Sequence, residues 1–479
     1  MRRLVVIGDA LLDRDLDGRA ERLAPDAPVP VVEDIVERAR PGGAGLAAAL
    51  AAATGEVSVT LVCALGDDPA GRLLGDLLTR TGVTVCDLGL AGQTPEKVRV
   101  RAAGRALMRL DYGGGDGAPG HFNGEARAAV SEADAVLVSD YGRGVAAEPS
   151  VRAALSALPS ELPLVWDPHP RGPAPVPGVL VATPNAGEAA RFAQHASLAD
   201  DEPRTAAETP PDDGVADMAQ AEDNGRLLAR HWGAVDVCVT LGARGALLIG
   251  GTGPALAVPA HRVTGGDPCG AGDCFATTVA IRLAAGDLPS EAVRAGVARA
   301  ADFVAAGGAA GAGQRGFRTA QTTARVPTTD PYAVAAEVRA SGGTVVATGG
   351  CFDILHAGHL ETLEAARALG DCLIVCLNSD ASVSRLKGPD RPVVSQQERA
   401  RLLTALSCVD AVAIFEQDDP CEVLRKLRPH VWVKGGDYAV SELPEATALA
   451  QWGGRPVIVP YVAGRSTTGL IEEVVARVR

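Results

Sequence analysis

Lysine is nearly missing from this chain. Lys97, Lys387, Lys426 and Lys434 stand among 45 basic positions, and the rest are arginine. Where a planar fork serves, the chain uses Arg, so a retained Lys marks a place that calls for a compact point charge; Lys426 reads as an ordinary surface charge. The ten cysteines include no C-x-x-C pair. That excludes a disulfide framework and a Cys-based zinc site, and it points to reduced thiols in a cytoplasm. Cys372 and Cys376 fall in an apolar run and read as small core residues. No apolar run approaches membrane-spanning length. Met1 to Ile7 is basic and then apolar, but it stops at Gly8-Asp9, short of a signal peptide. A basic surplus is also absent: the net charge is −14. Nucleic acid and membrane are therefore excluded as partners, and positive potential must be local to particular sites.

What is present is strand–helix alternation. The 479 residues, 47% of them hydrophobic, suit two or three domains with sizeable cores. Leu4–Ile7, Thr60–Ala64, Ala135–Ser139, Leu164–Asp167, Val179–Thr183 and Val235–Thr240 read as buried strands, with Ala-rich helical runs between them. The class is α/β, a parallel sheet wrapped by helices, with ligands at the carboxyl ends of its strands. Ser197 to Asp217, rich in Asp, Glu, Pro and Thr, reads as a flexible surface insertion. The pattern breaks near Arg318 to Pro331 and restarts at Thr344. The expected division is 1–320, a linker at 321–341, and a smaller Rossmann-like unit at 342–479. Strands are expected there at Thr344–Ala347, Cys372–Asn378, Ala411–Phe415, Val431–Lys434 and Val457–Tyr461.

Two stretches carry chemistry. Gly350-Cys351-Phe352-Asp353-Ile354-Leu355-His356-Ala357-Gly358-His359 lies between a strand and a helical run, Leu360 to Leu369. A helix N-terminus offers free N–H groups and a positive dipole end, which suit phosphate. Two imidazoles beside it can donate hydrogen bonds to a phosphate in transfer. No nearby Cys or acidic cluster completes a metal shell, and no direct protein cage for a metal is expected. Lys387 and Lys434 supply point charges, and Ser466, Thr467 and Thr468, before the last helix, can bind outer phosphates. Upstream, Gly270-Ala271-Gly272-Asp273 opens the helical run Cys274 to Ala285. Small residues let the backbone approach an anion, and Asp273 can accept a proton from an attacking hydroxyl. Pro41-Gly42-Gly43-Ala44-Gly45 opens another Ala-rich helix. Asn185 and Glu188 follow a strand and can hold Mg²⁺ through water. Thr240, Gly242 and Gly245 form a glycine turn suited to a nucleotide.

The order Gly-Gly-Ala, Asn-x-x-Glu, Gly-Ala-Gly-Asp resembles the ribokinase-like (PfkB) carbohydrate kinases over about residues 1–320. The resemblance implies a three-layer domain with a small β lid. It implies Asp273 as base, Gly270, Ala271 and Gly272 as anion hole, and Asn185 and Glu188 near Mg·ATP. Gly8-Asp9-x-x-Leu12-Asp13-Arg14, Ala24 to Val32 and Ser139-Asp140-Tyr141-x-x-Gly144 resemble the heptose-phosphate kinase branch, as do Lys97 and Arg99. On that resemblance Asp13, Arg14, Gly42, Gly43, Lys97, Arg99 and Asp140 contact the sugar. Leu46 stands where the family usually has an Asn that contacts sugar hydroxyls, a bond Leu cannot make.

The second half resembles the cytidylyltransferase-like nucleotidyltransferases. Cys-Phe-Asp-x-x-His-x-Gly-His, Arg385-Leu386-Lys387-Gly388 and Val433-Lys434-Gly435-Gly436-Asp437-Tyr438 are close to the heptose 1-phosphate adenylyltransferase branch. This implies His356, His359 and Lys387 as catalytic groups. It places Cys351, Phe352, Asp353, Lys434, Gly435 and Asp437 against the nucleotide. Together the halves resemble bifunctional heptose-phosphate kinase/adenylyltransferases. That implies ATP as substrate of both reactions, Mg²⁺, sugar phosphates as partners, and a homodimer. Two alternatives stay open at this point: a kinase-like half that only binds or dimerises, and a different sugar or polyol phosphate or nucleotide.

Overall fold

Short runs of Val, Leu, Ile and Ala, each closed by a polar residue, become strands buried on both faces, as in a covered parallel sheet. The computed structural model describes residues 1–25, 27–102, 105–113, 117–199, 218–251, 253–261, 263, 265–311, 330–435 and 444–459. They fall into two compact units. One holds Met1–Gly214, Asn224–Thr240 and Gly265–Arg315; the other holds Val215–Asp223, Leu241–Thr264 and Gly316–Arg479.

The main sheet of the first unit is parallel, in the order Val83–Asp87, Val57–Cys63, Arg2–Gly8, Ala135–Ser139, Leu164–Asp167, Val181–Ala182, Asp236–Thr240. Its carboxyl edge carries Asp9, Asp140, Asp167, Thr183 and Thr240. The helix Ala271–Ala284 has ten buried residues and packs on the sheet and on Pro289–Ala305. The two helices approach closely at Gly296, where a Cβ would meet the Phe275 ring at 2.9 Å.

A four-stranded sheet stands apart in sequence pattern: Pro30–Gly43, Ala10–Leu23, Glu96–Ala102, Arg105–Tyr112. The strand reading ends at Gly8-Asp9 and does not include these elements. Their inner rows alternate charge instead of apolar residues. Asp13, Asp15 and Asp17 face Arg40, Arg99 and Arg101 in ion pairs, so a face that reads as solvated is folded.

The second unit pairs Ala411–Phe415, Cys372–Asn378, Val345–Gly350, Val431–Gly435 and Arg455–Val459 in parallel, in that order. Cys372 and Cys376 are in its core, with Ile374, Phe415, Leu424 and Trp432. The linker expectation is corrected here. Residues 331–340 form a helix, Pro331–Ala340, capped by Asp330, and Val334 and Ala335 pack into that core. Residues 312–329 lie outside the described residues, as does the surface insertion from 200 onward. Ser197 belongs to the helix Ala186–Ala199.

Candidate active sites

In the first unit, Gly270 precedes the helix Ala271–Ala284 with φ 83°, a conformation that favours glycine. A Cβ there would also meet Leu46 Cδ2 at 2.9 Å. Leu46 therefore packs on the turn that presents Ala271 and Gly272. Asp273 sits in the first helical turn and is 6% exposed. The Tyr141 hydroxyl donates to both of its oxygens, at 2.8 Å each. Burial pushes the Asp273 carboxyl up to about 7, against the Tyr141 hydrogen bond and the Lys97 charge. Such a value suits a general base at neutral pH. Tyr141 keeps its proton, since burial and then Asp273 raise it well above its usual range.

The expected sugar-contacting residues gather partly around this pair. Asp13 is buried and accepts from Arg99 at 2.7 Å. Lys97 Nζ lies 5.4 Å from the Tyr141 ring centre. Burial holds the Lys97 ammonium below its ordinary value, Asp13 opposing. Gly42 abuts the Asp13 carboxylate, and Gly43 takes φ 61° where a Cβ would meet Asp9 O at 2.4 Å. Asp140 Oδ1 accepts from Gly142 N at 2.7 Å, and burial pushes its carboxyl up to about 7. Arg14 is not brought to this group. It lies one residue along the strand from Asp13, hence on the opposite face, paired with Glu37 and Glu96 at 2.8 Å.

Asn185 and Glu188 bond to each other reciprocally, backbone N–H to side-chain oxygen at 2.9 Å each way. Burial raises Glu188, and burial, Asp273 and Glu188 raise Asp167 well above the carboxylate range. Of these carboxylates only Asp167 is raised by the others, and among the described residues no group of three His, Cys, Asp or Glu could by itself hold a metal ion. Thr240 bridges to Asn185; Gly242 and Gly245 are not assigned to this unit but to the other, where Gly242 opens the single turn Gly242–Arg244 and Gly245 caps it. Two participants escaped the sequence reading. Tyr141 and Asp9 are visible in the sequence only as parts of motifs, without a role. Asp9 accepts from the N–H groups of Tyr141, Arg143 and Val145 at 3.1, 2.8 and 3.0 Å and so fixes the loop after Ser139.

In the second unit, His356 is the N-cap of the helix Ala357–Ala368. Its ring stacks on that of His359, 3.9 Å between centres and 23° between planes. Phe352, with φ 43°, sets its ring 5.2 Å from that of His359. A non-glycine residue in that region marks strain held by its surroundings. Burial, then His356 and Lys387, lower His359 to about 4, so the stacked pair avoids carrying two positive charges. Lys387 ends the helix Asp380–Lys387 and is exposed. Lys434 pairs with the buried Glu445 at 2.9 Å, so its charge is already partly balanced. Gly435 lies beside Thr362. Asp437, Ser466, Thr467 and Thr468 lie outside the described residues.

Asp353 acts on the loop. Its Oδ1 accepts from Val393 N at 2.6 Å and Val394 N at 3.0 Å, and its other oxygen pairs with Arg391. Burial works to raise its carboxyl, but these hydrogen bonds outweigh burial and hold it below the usual value. Arg399 was missed altogether. It is fully buried and donates to the carbonyls of Cys351, Asn378 and Val394 and to Asp380. One guanidinium thus ties the histidine turn to the end of the neighbouring strand, a helix start and the Asp353 loop. In Gln396-Gln397-Glu398-Arg399-Ala400-Arg401 it looks like a solvated helix face, and no local signal marks it.

Residues 1–313 match the pfkB family of carbohydrate kinases, and residues 347–468 match the cytidylyltransferase-like family. The class is therefore a carbohydrate kinase fused to a nucleotidyltransferase. The chain is 53% identical over 468 residues to "Bifunctional protein HldE" of Streptomyces coelicolor, covering 98% of this chain and 96% of that one. It is 37% identical to the protein of the same name from Azorhizobium caulinodans, covering 98% and 97%. The chain belongs to this family of bifunctional HldE proteins. No described helix is long and apolar enough to cross a membrane.

Proposed function

We propose that the chain performs two ATP-dependent steps of ADP-heptose synthesis. The first unit phosphorylates D-glycero-β-D-manno-heptose 7-phosphate at O1. The second transfers an adenylyl group to heptose 1-phosphate. The observation that carries the first step is the buried Asp273 at a glycine-led helix N-terminus, poised near neutrality. Asp273 takes the proton of the anomeric hydroxyl as its oxygen attacks the γ-phosphorus of ATP, and ADP leaves. The N–H groups of the Gly270–Gly272 turn face the charge that develops. Mg²⁺, held near Glu188, Asn185 and Asp167, would offset charge on the nucleotide phosphates.

In the second step an oxygen of the 1-phosphate attacks the α-phosphorus of ATP, and pyrophosphate leaves. The His359 ring, one N–H of which faces the Ile354 carbonyl, can donate to the transferring phosphate from its other nitrogen when that nitrogen takes up a proton. With His356 and Lys387 it stabilises the charge there, so positioning and electrostatics carry the reaction. A phosphatase must remove the 7-phosphate between the steps. The enzyme is cytoplasmic and works as a homodimer. Exposed Ile35, Val36, Leu107 and Met108 on the four-stranded sheet support the latter.

Mass spectrometry of products from heptose 7-phosphate and ATP tests both halves. The bisphosphate alone is expected without a phosphatase, and ADP-heptose once one is added. ADP-heptose formed from heptose 1-phosphate, with no bisphosphate ever detected, would refute the kinase assignment.

A further inference from the structure

Lys387 closes the helix Asp380–Lys387, and Gly388, with φ 101°, turns the chain into residues 388–395, which lead to the capped helix Gln396–Thr404. Lys387 is exposed, yet its charge reaches the histidine pair, where it helps to lower His359. A lysine side chain carries about 2 kcal/mol of rotamer entropy, so it does not hold itself there. The backbone that carries it must be placed from elsewhere. Asp353, three residues before His356, reaches across to that segment. Its Oδ1 accepts from Val393 N at 2.6 Å and Val394 N at 3.0 Å, and its Oδ2 pairs with Arg391 Nε. The backbone N–H of Arg391 donates to Gly388 O at 3.2 Å, which brings the contact back to the residue after Lys387. The Asp353 side chain is 1% exposed and that of Arg391 18%.

Both oxygens of Asp353 are therefore occupied by the loop, and the side chain presents almost no surface to a ligand. A carboxylate so engaged is not a group that meets a nucleotide arriving from solution. Its weight is large all the same, because a buried ion pair that loses one partner leaves the other charge uncompensated. Resting on the adenylyl-transfer reading above, we infer that Asp353 and Arg391 are positioning residues, a buried pair that holds the Lys387 loop against the histidine turn and acts on adenylyl transfer through Lys387. Lys387 then meets the transferring phosphate at a fixed distance from the two imidazoles. A displacement of about 1 Å is enough to cost roughly a hundredfold in rate.

The test uses the full chain, with phosphoryl transfer by the first unit as internal control. Asp353→Asn and Arg391→Gln should each lower kcat for adenylyl transfer about tenfold or more. The two together should recover most of it. The Oε1 of a Gln stands where Arg carries Nε, so the Asn amide can donate to it while the Asn Oδ1 still takes the two backbone N–H groups. Replacing both partners of a buried pair is far milder than removing one. Lys387→Met should cost about a hundredfold, and in that background Asp353→Asn should cost less than about twofold more. A merely structural role, or direct contact with the nucleotide, multiplies the two losses instead, and multiplied losses overturn the proposal. So does a paired variant that fares no better than either single one. If wild type transfers no adenylyl group at all, the functional reading fails separately. Amide hydrogen exchange of residues 388–395 then decides the positioning: exchange that quickens in each single variant and slows again in the pair supports it, and equal exchange in all four proteins overturns it.

Discussion

Replacing Tyr141 by Phe removes one hydroxyl from the kinase site and keeps its ring beside Lys97. That hydroxyl donates to both oxygens of Asp273 at 2.8 Å, and it favours the ionised carboxylate. A hydrogen bond to a charged group is worth about 1.5–3 kcal/mol. At about 1.4 kcal/mol per pKa unit, its loss raises Asp273 by roughly one to two units. Asp273 starts at about 7, so half of it is ionised at pH 7. In the variant the ionised fraction falls to between about a tenth and a hundredth, and kcat/KM at pH 7 falls roughly five- to fiftyfold. The loss should vanish as pH approaches 9 to 10. The assay is the pH profile of kcat/KM for phosphoryl transfer, with adenylyl transfer as internal control. An acid limb that coincides with the wild-type limb, whatever the drop in rate, would refute the claim that Tyr141 tunes the base.

Asp273→Asn should separate activity from stability. The folded value of Asp273 lies above the unfolded value of 3.8. Its contribution is therefore fully present below about pH 4 and lost as pH rises through 7. The variant should melt higher than wild type at pH 8, with the gap closing toward pH 5, while phosphoryl transfer falls at least about a hundredfold; a lower Tm at pH 8 would contradict this. Arg399→Met should leave three carbonyls and Asp380 without their donor and destabilise the second unit by about 3–5 kcal/mol. Adenylyl transfer should then be lost at denaturant concentrations where phosphoryl transfer persists, and coincident loss of both would count against that role.

The sequence exposes what is local and hides what is cooperative. Helix starts at Gly270 and His356 are legible because glycine, small residues and a polar group must adjoin there whatever the fold does elsewhere. The parallel strands are legible because burial on both faces leaves continuous apolar runs such as Cys372–Asn378. The four-stranded sheet is not, because Asp13, Asp15 and Asp17 find their partners on strands distant in sequence, and each stretch alone looks solvated. Arg399 is hidden for the same reason: its acceptors on Cys351, Asn378 and Asp380 lie far from it in sequence. Arg14 shows the converse. It adjoins Asp13 in a recognisable motif, yet strand alternation sends it to the other face. Tyr141 gains its role only when the loop held by Asp9 swings its hydroxyl onto a helix that begins 130 residues later.

The ion-paired face of the four-stranded sheet has a thermodynamic consequence. Asp13, Asp15 and Asp17 with Arg40, Arg99 and Arg101 hold polar atoms where most sheets hold methyl groups. Wetting that face exposes little apolar area, and apolar area is what sets the heat-capacity change of an opening. Movement of the sheet over the sugar would then register weakly in the heat capacity of substrate binding and strongly in its dependence on salt.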